Sequence, residues 1–208
     1  MSNINFDIYL LPGNWRKGPI KVKQREILDY YPLWSNIYRV EADITVIALP
    51  KREELNVFHF TQSSACCNMG DRIPAVYVNN AGYFDISSGV NNNGNYKFKY
   101  NFTLGKKYHI AIQQYLQIGK NFIYRIEVNG QIVHTVQNYQ PNNYTDVKVY
   151  ASDPWNIPLS SEYGLLENFK ISSDLDVCGK HKISKFIFSI GNENYFHIYA
   201  TIFYRYKL

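Results

Sequence analysis

The chain has 208 residues, 46% of them hydrophobic and 19% charged, an ordinary globular mix that suits one domain plus some extra chain. Its net charge of +5 comes from 22 Lys and Arg against 17 Asp and Glu, scattered with no long basic block, which argues against a nucleic-acid footprint. No run approaches the ~18 apolar residues of a membrane-spanning helix, and the first residues show neither the basic leader nor the small-residue cleavage site of a secretory signal.

Aromatic residues make up 16% of the chain, with 19 Tyr and 12 Phe, and this richness favours pleated, half-buried surfaces. In chain order, "IKVKQREILDY" (20–30) is open between helix and strand. The run "NIYRVEADITVIALP" (36–50) is the most regular stretch. Tyr38, Val40, Ala42, Ile44, Val46 and Ala48 share one side, and Arg39, Glu41, Asp43 and Thr45 the other, the period-two mark of a half-buried antiparallel strand. "LNVFHFT" (55–61) reads as a further strand.

A loop with Cys66 and Cys67 follows. Those two and Cys178 give an odd count without the paired spacing of a zinc site, and a bridge between neighbours conflicts with disulfide geometry. A bridge from either to Cys178 stays an alternative; the preferred reading is a plain loop ending in "MGD".

Strands are predicted at "PAVYVN" (74–79) and "YFDIS" (83–87), then a Gly/Asn loop, "GVNNNGNY" (89–96), then strands at 96–102 and 106–114. The strongest local signal is "NFIYRIEVNGQIVHTVQN" (121–138), where Asn129-Gly130 suits a two-residue type I′ hairpin because both central residues need positive φ. "TDVKVYAS" (145–152) and "YGLLENFKI" (163–171) supply two more strands around "DPWNIPLSSE". No segment has convincing helical periodicity, so the expectation is an all-β antiparallel sandwich or barrel. Beyond Ile171 the chain is crowded with aromatics, and 172–208 reads as an appendage that packs as extra strands, joins two chains or lacks order.

"GDRIPAVYV", "SGVNNNGNYKF", "YRIEVNGQIVHTVQN" and "DVKVYASDPW" followed by "GLLENFKI" occur in that order. Together they resemble a concanavalin A-like, laminin G-like jelly-roll domain over residues 20–171, with Gly164, Leu166, Asn168, Phe169 and Ile171 fitting its last strand. The resemblance implies a two-sheet antiparallel jelly-roll sandwich with an extracellular recognition role. Residues 1–19 form an N-terminal extension outside it, as does the appendage. The N-glycosylation tripeptides at Asn101 and Asn143 agree with that setting. No calcium-ligand set carries over onto these residues, so the expectation is no cofactor, with calcium left open.

Some jelly rolls hydrolyse glycosides, which takes two carboxyls about 5–9.5 Å apart across the scissile bond. Glu41 and Asp43 come nearest to such a pattern, but Thr45 and Val46 stand where a third carboxylate belongs. Ser63 and Ser64 near His59 lack a nucleophile elbow, and His109 and His134 fall in predicted strands. The expectation is a non-enzymatic module that binds carbohydrate or a glycoprotein through rim loops or the concave sheet. Its candidate ligand residues are Asp71 and Arg72 of "GDR", Asn91 and Asn93 of the Asn run, and Asp153 and Trp155 of "SDPW". The alternative is an assembly domain, with homo-oligomers formed through the appendage.

Overall fold

The computed structural model describes residues 15–51, 54–117, 121–173, 187–190 and 194–197. Its strands are β1 (Trp15–Ile20), β2 (Glu26–Trp34), β3 (Tyr38–Val46), β4 (Leu55–Thr61), β5 (Ala75–Asn79), β6 (Tyr83–Val90), β7 (Asn93–Asn101), β8 (Lys107–Leu116), β9 (Phe122–Val128), β10 (Gln131–Asn138), β11 (Tyr144–Ser152), β12 (Ile157–Pro158), β13 (Gly164–Ser173), β14 (Ile187–Ile190) and β15 (Asn194–His197). No helix occurs among the described residues.

Two sheets face each other, one ordered β1-β13-β3-β8-β9-β10 and the other β2-β11-β4-β5-β6-β7 with β12 alongside β4. All pairings in the sandwich are antiparallel except the two-residue β12, which runs parallel to β4. Each sheet joins distant parts of the chain: β2 lies beside β11, and β13 lies between β1 and β3. This is a two-sheet jelly-roll sandwich, as expected.

The alternation of β3 is the local cause. Tyr38, Val40, Ala42, Ile44 and Val46 are buried against the opposite sheet, and the residues between them face outward. Phe169 of β13 stitches the two sheets together, its ring 5.2 Å from Phe58 and 6.2 Å from Phe60, both on β4. Trp34 stands 4.9 Å from Phe60 and completes the aromatic centre. Edge-on and tilted rings at these separations add about 0.5–1.5 kcal/mol per pair beyond their area burial.

Several segments differ from the sequence reading. β1 begins inside the stretch set apart as residues 1–19 and pairs with β13. The ambiguous 20–30 segment turns at Lys23–Glu26 and then enters β2. The Asn run is no long loop. β6 reaches Val90 and β7 starts at Asn93, so Asn91 and Asn92, with φ of 52° and 60°, are the two central residues of a tight hairpin. Asn129-Gly130 makes the expected hairpin with φ of 52° and 77°. Cys66 and Cys67 are bonded to each other rather than left unbridged in the loop. Cys178 lies outside the described residues, as does the tail beyond Ser173 apart from the β14–β15 ladder.

Candidate ligand-binding face

The outward side of the seven-stranded sheet is where the polar chemistry gathers. β4 is buried along its whole length. Phe58 and Phe60 point into the sandwich, so His59 and Thr61 point away from it, and they are nonetheless sealed. The ladders set a row of outward positions: Tyr150 opposite His59, His59 opposite Ala75, Ala75 opposite Ser87, and Ser87 opposite Lys97. A second row runs Asn56, Tyr77, Asp85, Lys99.

Two loops cover these rows. From the segment between β4 and β5, the Asp71 carbonyl accepts from His59 Nε2 at 2.5 Å. From the segment after β11, Asp153 Oδ2 lies 2.8 Å from His59 Nδ1, both side chains fully buried. A carbonyl can only accept, so Nε2 donates to it. Burial pushes the Asp153 carboxyl up, but the hydrogen bond and charge of His59 and the donors of Asn156 outweigh it and hold Asp153 below the usual carboxylate range. Asp153 Oδ1 also accepts the backbone N–H groups of Trp155 at 2.9 Å and Asn156 at 2.8 Å, an Asx turn that fixes the loop. Asn56 Oδ1 accepts the Asp153 N–H at 2.9 Å and ties that turn to the sheet.

The turn holds Trp155 at the surface, 45% exposed, its ring 6.0 Å from His59 and 6.4 Å from Tyr150. Arg72 lies on the Tyr77 ring at 4.8 Å. It donates through Nε to Ala65 O at 3.0 Å and through Nη1 to Asn95 Oδ1 at 2.6 Å and Ser87 Oγ at 3.5 Å. Asp85, also buried, pairs with Lys97 at 3.0 Å. Gly94 brings the hairpin onto the covering loop. A Cβ there would stand 2.3 Å from the Asn68 backbone, so only glycine permits that approach.

Four of the six predicted ligand residues, Asp71, Arg72, Asp153 and Trp155, therefore meet around His59 and Tyr77. The carboxylates of two are used internally: Asp71 Oδ2 accepts the Asn68 N–H at 2.8 Å, and Asp153 is committed as above. Asn91 and Asn93 stand apart. Asn91 Nδ2 donates to Gln137 O at 2.9 Å and Asn91 Oδ1 accepts from Tyr139 N at 2.7 Å, pinning the hairpin to the end of β10. Asn93 Oδ1 accepts the Asn95 N–H at 3.0 Å. His59, Tyr77, Asp85 and Lys97 were not picked out from the sequence as ligand residues. The available signal was a polar or ionisable residue at the outward position of an otherwise apolar strand.

The outer face of the six-stranded sheet holds Glu41 and Asp43. Arg39 and Lys170 approach Glu41 at 3.0 and 3.2 Å, and His109 Nδ1 and Asn168 Nδ2 bond Asp43 at 2.7 and 2.8 Å. Burial raises both carboxyls, yet these partners prevail and both sit below the usual range. A general acid needs the reverse.

Among the described residues no three His, Cys, Asp or Glu side chains stand together as metal ligands. Asp71 Oδ2 and both Asp153 oxygens are taken by N–H donors, an arrangement that does not fit a calcium ion, which wants six to eight oxygens. No helix among the described residues is long and apolar enough to cross a membrane.

No family model matches the chain, and no curated protein matches it. Among solved structures it is similar to the receptor binding domain of botulinum neurotoxin D, at 12% identity and a TM-score of 0.49 over 82% of this chain and 45% of that one. It is also similar to a heptameric SAP-like pentraxin from Limulus polyphemus, at 15% identity and a TM-score of 0.46 over 76% and 74%. A third is the Trypanosoma rangeli sialidase, at 14% identity and a TM-score of 0.46, where 65% of this chain spans only 20% of the enzyme.

Proposed function

We propose that this chain is a non-enzymatic recognition module that binds a carbohydrate, free or on a glycoprotein, on the outer face of the seven-stranded sheet. The observation that carries this reading is Trp155, a large aromatic face left open to solvent while its backbone is clamped by the Asp153 turn. Sugars pack their C–H faces on such rings, and a platform that does not move on binding loses little entropy. Asn95, Arg72 and Lys97 offer hydrogen-bonding groups on the same covered face. Both nitrogens of His59 are already occupied in a sealed pocket, and Glu41 and Asp43 are neutralised by partners, so neither group is poised to move a substrate proton. An extracellular setting agrees with the surface position of Asn101 and Asn143.

A glycan array, run with and without chelator, tests the reading. Saturable binding that weakens about tenfold in Trp155→Ala is expected, the worth of one aromatic stacking contact. An array without saturable binding in either buffer overturns it.

An assembly role is favoured by one other observation. β2 is an outermost strand and exposes Ile27 at 54%, Tyr30 at 44% and Leu33 at 37%. A stable oligomer by sedimentation, disrupted by Ile27→Lys in a protein that holds no glycan, would establish that role instead.

A further inference from the structure

We propose that Arg72 is the receptor for an anionic group on the bound sugar, so that the ligand is an acidic glycan; this rests on the carbohydrate reading above. Arg72 is only 8% exposed, yet its three hydrogen bonds go to neutral acceptors, the Ala65 carbonyl, the Asn95 amide and the Ser87 hydroxyl. Among the described residues no carboxylate lies within ion-pair distance of it. Those bonds use Nε and Nη1, and Nη2 takes part in none of them.

A guanidinium withdrawn from water without a counter-charge is costly. The fold nevertheless fixes this one on three sides and lays it on the Tyr77 ring. A buried acid, Asp85, is one hydroxyl away: Ser87 Oγ lies 3.5 Å from both Arg72 Nη1 and Asp85 Oδ1. That carboxylate is already taken by Lys97 at 3.0 Å, and Lys99 stands opposite Asp85 across the β6–β7 ladder. Asp153 is held by His59 and Asn156. Asp85 is thus engaged by Lys97, and the charge that would match Arg72 is negative. A carboxylate or sulfate on a sugar supplies it, with Nη2 donating to one oxygen. Lys97, its side chain 34% exposed, has further N–H groups for another.

The test compares matched oligosaccharides in neutral, uronic acid and sulfated forms on the array. It also follows the Arg72 side-chain NMR signals while sodium sulfate, an anion without a sugar, is added. Acidic forms should bind about tenfold or more tighter than their neutral counterpart, the worth of one charge-assisted hydrogen bond. The preference should fade with added salt and vanish in Arg72→Gln. Lys97→Gln, which disturbs the fold less, should lose part of it. The uronic and sulfated arms tell which anion is preferred.

Equal binding of neutral and acidic forms, or a preference that survives Arg72→Gln in a folded protein, overturns the inference and leaves the carbohydrate reading standing. An empty array with Arg72 signals that still shift on sulfate defeats the carbohydrate reading but keeps the anion site. An empty array with unmoved signals defeats both.

Discussion

Replacing Asp153 with alanine tests whether the buried pair with His59 holds the covering loop in place. The carboxylate receives His59 Nδ1 at 2.8 Å, the backbone N–H groups of Trp155 and Asn156 at 2.9 and 2.8 Å, and Asn156 Nδ2 at 2.9 Å to its second oxygen. Alanine strands His59 in a fully sealed position and opens the turn. Removing one partner of such a buried pair costs about 3–5 kcal/mol, about a fifth or more of the ~5–15 kcal/mol that holds a typical domain folded. With a urea slope of about 2 kcal/mol/M, the midpoint should fall by roughly 1.5–2.5 M at unchanged slope. The pH dependence has a definite sign. Because the folded Asp153 carboxyl lies below its unfolded value near ~4, its stabilisation is complete above that value and is lost as pH falls through the folded one. Asp153→Asn, which keeps an acceptor for the turn, should be intermediate in stability with a shallower acid limb. A midpoint shift of less than about 0.5 M for Asp153→Ala, which is ~1 kcal/mol on that slope, would refute the argument.

Asn168 interrupts β13 with φ of 51° where the ladder shifts register, bonding Asp43 through Nδ2 and the Gly18 N–H through Oδ1. Asn168→Ala should destabilise by at least about 1–2 kcal/mol from the left-handed backbone alone, and Asn168→Gly by less, as read from thermal unfolding. His134 stacks on Phe98 at 4.7 Å and meets the Tyr96 hydroxyl at 2.9 Å, and burial lowers its pKa. The neutral ring is the folded form, so its stabilisation is present above ~6.5 and falls as pH drops through the lowered value; urea midpoints of His134→Phe across pH 5–7 should lose that dependence.

The sandwich was legible wherever one side of a strand meets the core. β3 and β13 show this through alternation, and the β9–β10 hairpin through Asn129-Gly130. β1 was not legible because "WRKGPI" carries Gly and Pro, which disfavour strands in general; it exists as an outermost strand whose register shifts between Arg16 and Pro19. On the outer face, Asp71, Arg72, Asp153 and Trp155 were singled out by residue type alone, and the fold brings them together. Their meeting point was hidden because His59 and Asp153 are 94 positions apart and are joined only through the β4–β11 register. Asn91 and Asn93 had the composition of a ligand loop, but local turn chemistry uses them up. The pairing of Cys66 with Cys67 went against the geometric argument from sequence.

A sheet face carrying Asn56, His59, Thr61, Asp85 and Ser87 would ordinarily be left to water, yet here all five are buried. Water's hydrogen bonds must then be replaced one by one. The structure does so with loop groups: the Asp71 carbonyl and Asp153 for His59, the Ser63 and Ser64 N–H groups for Thr61, and Lys97 for Asp85. Such a second polar layer adds little net stability, since each bond replaces one to solvent. What it does supply is position: Trp155 and Arg72 are held before any ligand arrives, which lowers the ordering cost of binding. The two should therefore part company under mutation. Trp155 makes ring contacts but is nearly half exposed, so Trp155→Ala should weaken binding about tenfold with little change in unfolding midpoint. Arg72 is tied to both loop and sheet, so Arg72→Gln should lower the midpoint as well as any anion preference. If Trp155→Ala unfolds the protein as readily as Asp153→Ala, the ring is a plug rather than a platform, and the outer face loses its claim to a ligand.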